Sequence, residues 1–88
     1  MKKKNGFILK TIIDKNIIVP FGEESLNLNG VITLNETGKF LWENMDDEFT
    51  PESISQLLID KYGISKNLAD TDAERFISQL KEAGCIAE

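Results

Sequence analysis

Chemistry-bearing side chains are scarce in this chain. Its 88 residues include no histidine and a single cysteine, Cys85. Zinc fingers, haem ligation through histidine, Ser-His-Asp or Cys-His catalysis, intrachain disulfides and Fe–S clusters all need residues that are absent here. Acids do cluster, at Glu43, Asp46, Asp47, Glu48 and Glu52, with no base among residues 43–52. A calcium loop would need Asp-x-Asp-x-Asp-Gly spacing and its turn glycine, and the stretch has neither. It reads as a solvated helix–helix connection whose acids favour the positive end of the next helix. Cys85 follows Gly84 with Lys81 as its nearest base in sequence, so it reads as a small buried hydrophobe rather than a nucleophile. Phe40, Trp42 and Tyr62 could stack on a ligand, but a domain this small needs its large rings in the core. Thr37-Gly38 is different. A glycine inside a helix costs about 1 kcal/mol relative to alanine, so another element, more readily backbone than ligand, is expected to approach closely there. Neither catalysis, a metal nor a cofactor is expected.

The elements that must position these residues are legible in outline. With 41 % hydrophobic and 28 % charged residues and a net charge of −5, the composition is globular. The length allows one domain, residues 1–88, with residues 1–5 expected to be flexible. Lys2-Lys3-Lys4 before Phe7-Ile8-Leu9 mimics an export signal, but Lys10 and Asp14 break the apolar stretch. Neither a signal nor a membrane span is expected, and with one cysteine the chain reads as cytoplasmic. β-Branched and aromatic residues predict strands at about Phe7–Ile13 and Ile17–Phe21, turned at Asp14-Lys15-Asn16, with Pro20 near a strand end. A polar connector, Gly22 to Gly30, leads to a third strand, Val31–Leu34. Helix one starts at a cap supplied by Asn35 or by a Thr33-x-x-Glu36 box, and ends near Glu43–Glu48. Thr50-Pro51-Glu52 opens helix two and Gly63 stops it; helix three runs from about Asp70 to Ala83, with Gly84 as its stop. Cys85-Ile86-Ala87 is a short terminal extended segment. The expected class is α+β: a small winged-helix-like domain, a three-stranded antiparallel sheet followed by three helices. A winged helix invites a DNA reading, which electrostatics opposes. Asp70, Asp72, Glu74 and Glu82 outnumber Arg75 and Lys81 on the third helix, whereas phosphate neutralisation needs clustered bases.

Leu34-Asn35-Glu36-Thr37-Gly38-Lys39-Phe40-Leu41-Trp42 resembles the "LNxTG…W" stretch of the PqqD-like family, the pyrroloquinoline quinone biosynthesis protein D family. Asp72 to Leu80, followed by Lys81-Glu82-Ala83-Gly84-Cys85-Ile86, is similar to that family's closing "D…F…L…GL" helix, with Cys85-Ile86 a mild departure from two aliphatic residues. Thr50 to Tyr62 matches its middle helix in place and length. The resemblance implies a RiPP recognition element: a non-catalytic, peptide-binding module. Such a module captures the leader of a ribosomally made precursor peptide and presents it to a modifying enzyme, commonly of the radical S-adenosylmethionine type. It also implies where the leader lies, as an added strand on the third strand in a groove shared with the third helix. Transferred to this sequence, the edge is Val31, Ile32, Thr33 and Leu34, and the helix offers Asp72, Arg75, Phe76 and Gln79. Phe76 also suits the core. Arg75, the chain's one arginine, is the residue chosen for an acidic leader side chain, against the plainer reading of a surface arginine paired with an acid one turn away. The module serves many pathways, so the resemblance does not imply pyrroloquinoline quinone as product. The competing readings are a scaffold or dimerisation domain, for which a homodimer is the natural form, and a nucleic-acid-binding winged helix.

Overall fold

The computed structural model describes residues 1–20 and 32–87. Phe21, the connector Gly22–Gly30 and Val31 lie outside the described residues. In chain order the elements are β1 (Lys2–Lys3), β2 (Phe7–Ile12), β3 (Lys15–Pro20), β4 (Ile32–Leu34), α1 (Glu36–Asn44), α2 (Pro51–Tyr62), α3 (Lys66–Glu82) and β5 (Ile86–Ala87). Strands β2, β3 and β4 form the expected antiparallel sheet with β3 in the centre, pairing Phe7 with Pro20 and Ile17 with Thr33. Among the described residues, β4 is therefore an edge.

The β2–β3 turn is tighter than the residue types suggest. Only Ile13 and Asp14 turn, while Lys15 and Asn16 belong to β3. Asn16 is buried rather than looped out: its Oδ1 accepts from Thr11 Oγ1 at 3.0 Å and its Nδ2 donates to Glu36 Oε1 at 3.3 Å, tying the hairpin to α1. A buried amide must find such partners, and burial overrides its turn preference. Ile13 adopts φ 57° and is 96 % exposed. The left-handed region costs an L-residue about 1–2 kcal/mol, and here no packing offsets it. Ile13→Gly is expected to raise stability by about 0.5–1 kcal/mol, net of the entropy glycine adds to the unfolded chain. Urea denaturation checks it, and a loss of stability would mean that Ile13 makes a stabilising contact.

The helix ends follow local chemistry. Asn35, rather than Thr33, caps α1: its Oδ1 accepts from Gly38 N at 2.8 Å, while Thr33 stays in β4. Thr50 and Ser53 form a reciprocal capping box with Pro51 behind it, and Gly63 closes α2 at φ 64°. Helix α3 begins at Lys66, four residues before the expected Asp70, with Ser65 as its cap. The apolar stripe first faces the core at Ala69, which hid the exposed opening turn. A Lys66–Asp70 pair at 2.8 Å spans that turn and keeps the Asp70 carboxyl below its usual range, helped by the Ser55 hydroxyl.

Ile18, Leu34, Leu41, Trp42, Ile54, Leu58, Phe76 and Leu80 are at the centre of a single core between sheet and helices. Tyr62, expected in it, is 44 % exposed and instead meets the half-buried Phe40 edge-on, with ring centroids 5.9 Å apart. The amino terminus, expected to be loose, is paired. Strand β1 pairs antiparallel with β5, Lys2 opposite Ala87 and Lys3 opposite Ile86. Lys3 N donates to Asp47 O at 2.8 Å and Phe49 N to Met1 O at 2.9 Å. The Lys3 ammonium donates to Trp42 O at 3.0 Å and lies 4.7 Å from the Trp42 ring centroid. Burial lowers its pKa, opposed by Asp47 and Asp46. Those acids thus serve the docked arm as well as the helix–helix connection. No helix among the described residues is long and apolar enough to cross a membrane.

Candidate functional site: a groove between α1 and α3

A groove of about 750 Å³ runs between the start of α1 and the length of α3. Asn35, Thr37, Gly38 and Leu41 supply one side. Thr37-Gly38 is there because of a close approach, from a side chain rather than the backbone element expected. A Cβ at Gly38 would stand 3.2 Å from both Cβ and Cδ2 of Leu34. The glycine lets the last residue of β4 seat against α1, and so fixes the edge strand beside the groove.

Helix α3 supplies the other wall. All four of its candidate residues line it: Asp72, half-buried; Phe76, buried; Arg75 and Gln79, exposed. Phe76 is at once core and groove floor. Thr71, Glu74, Ser78 and Glu82, spaced three and four apart, form a second stripe beside that of Asp72, Arg75 and Gln79 and also line the groove, although none had been picked as a groove residue. Ile32, Thr33 and Leu34 do not line the groove itself. Leu34 is buried, Ile32 half-buried and Thr33 exposed on the strand that leads into Asn35. Val31 lies outside the described residues.

The wall's charges are Asp72, Glu74 and Glu82 against Arg75. Among the described residues none of the four forms an ion pair, so Arg75 lacks the acid one turn away that the plainer reading gave it. No group of three or more His, Cys, Asp or Glu residues poised for a metal occurs among the described residues. Cys85 is buried, and burial pushes its thiol up to about 11 against the pull of Lys4, the cation that reaches it instead of Lys81. At neutral pH it is a protonated core side chain.

A three-stranded sheet with β4 at an edge among the described residues, packed on three helices and grooved along the last, defines a small α+β domain of the winged-helix kind. A family model for coenzyme PQQ synthesis protein D (PqqD) matches residues 23–86, and the chain belongs to the PqqD family. Among solved structures it is similar to TbiB1 in complex with the TbiA(beta) leader peptide, with a TM-score of 0.72 and 16 % identity over 100 % of each chain. At that identity the likeness is one of fold. No curated protein matches the sequence.

Proposed function

We propose that this PqqD-family chain is a non-catalytic peptide-binding module, which captures the leader of a ribosomally made precursor peptide and presents it to a modifying enzyme, a radical S-adenosylmethionine enzyme or another. The observation that carries the reading is the juxtaposition of the open β4 edge with the groove walled by Asp72, Arg75, Phe76 and Gln79. An extended peptide satisfies the N–H and C=O groups of such an edge, and side-chain pockets beside it add selectivity. The TbiB1 complex supports the reading, since a protein of the same fold was solved with a leader peptide. A single buried, protonated cysteine fits a cytoplasmic setting.

Duplex DNA fits the molecule poorly. In its observed extent α3 carries four acids against Lys66, Arg75 and Lys81, and Lys66 is already paired with Asp70. Of the amino-terminal lysines, Lys2 and Lys3 form β1 and Lys3 is held against Trp42, so they are not on a recognition helix.

The test is titration of isotope-labelled protein with synthetic leader peptides of ribosomally made precursors, followed by amide-shift mapping. Shifts are expected to concentrate on residues 32–35 and along α3 from Asp72 to Glu82. Shifts confined to α2 and the 43–48 connector would sink the reading.

A further inference from the structure

The groove's charge suggests which peptides it takes, an inference that rests on the peptide-binding reading above. Helix α3 rises about 1.5 Å per residue, so Asp72 and Glu82 stand about 15 Å apart along the wall. An extended guest advances about 3.3 Å per residue and turns alternate side chains to the same face, so about five residues cover that span. Between the two acids lies the apolar floor of Phe76 and Leu41. Glu74 adds a third carboxylate, and among the described residues none of the three forms an ion pair. The amino-terminal end of α1, which would favour an anion, already carries Glu36 in its first turn. Arg75 therefore subtracts from a negative field without reversing it.

We propose that the groove selects a basic guest: an extended segment with Lys or Arg at two positions four apart, set against Asp72 and Glu82, and an apolar side chain midway over Phe76. Arg75 is then a tuning residue that keeps the attraction from becoming indiscriminate, rather than the anchor of an acidic leader.

The experiment is selection of random dodecapeptides on the immobilised full chain, then titration of the strongest binder against versions with its basic residues changed to Gln and to Glu. Selected peptides are expected to exceed the library in Lys and Arg at the four-residue spacing. Changing both bases to Gln should weaken binding at least about threefold, within the span of about twofold to about thirtyfold for two exposed pairs, and Glu should weaken it further. In the double variant Asp72→Asn, Glu82→Gln the three versions should bind within about twofold of one another, and Arg75→Gln should tighten the basic peptide. Salt gives a reading that needs no variant: raising it from about 0.05 to about 0.3 M should weaken the basic peptide more than its Gln version. Selection of acid-rich peptides, or a charge preference that survives the double variant, overturns the charge inference and leaves the peptide-binding reading standing. Failure to select any peptide, or bound peptides that leave the α3 amides unmoved, overturns both.

Discussion

Of the two variants Ile32→Pro and Thr33→Pro, one is expected to abolish peptide binding with the fold intact, and the other to break the sheet. The difference follows from the antiparallel ladder. Along an edge strand, successive residues point their backbone N–H and C=O groups alternately at the paired neighbour and away from it. Strand β4 pairs with β3 through Ile17↔Thr33 and Ile18↔Ile32, so one of these two residues bonds to β3 and the other presents its groups outward. Proline removes the N–H and fixes φ. At the outward position it deletes a bond that only a guest strand would use, and binding should fall by at least about tenfold. At the inward position it deletes a ladder bond in a strand of three residues, which has little else to hold it. Alanine at the outward position should cost binding far less, because strand addition draws on the backbone. Circular dichroism and urea denaturation separate the two variants, and titration calorimetry reads the peptide. If both fold and both bind as the parent does, no strand is added at β4.

The ladder itself shows how much was legible in the residues. Strand β4, the cap of α2 and the Gly63 stop were readable because each is set by chemistry within four or five residues, and the same local chemistry narrowed the α1 cap to Asn35 or Thr33. What stayed hidden is non-local. Nothing near Asn16 says that its amide will be buried between Thr11 and Glu36, since the partner on α1 is twenty residues away. Lys2 and Lys3 look like a solvated tail until the carboxyl-terminal Ile86–Ala87 comes alongside them. Ser65 is an adequate cap, but the first turn it opens is exposed, so hydrophobic spacing passed over it. Asp72, Arg75, Phe76 and Gln79 could be put on one helix face by their spacing alone, and they line one groove. The opposite side of their groove, Asn35 and Thr37 with Gly38, was in plain view as a motif, yet only the folded chain puts it across from α3.

Trp42→Ala is expected to destabilise the protein by about 3–5 kcal/mol, the usual loss when a large core ring is truncated. The ring is 8 % exposed, within a core that also holds Leu41, Ile54 and Leu80. Its exposed margin is where Lys3 lies, so one side chain joins the helical core to the β1–β5 ribbon. A domain of this size sits at the lower end of the ~5–15 kcal/mol range of native stabilities, and such a loss leaves the variant close to unfolding. Lys3→Met separates the two roles. It keeps a long apolar stem over the ring but removes the charge, and a partly exposed cation–π contact is worth about 0.5–1 kcal/mol. A loss of that size without a red shift of Trp42 fluorescence would assign it to the ammonium, through the ring and its bond to Trp42 O. A larger loss with a red shift would mean that the arm shields the ring from water. Urea denaturation of both variants decides the point. A loss below about 1 kcal/mol in Trp42→Ala, the scale of a surface change, would place the ring outside the core and return it to the candidates for stacking on a ligand.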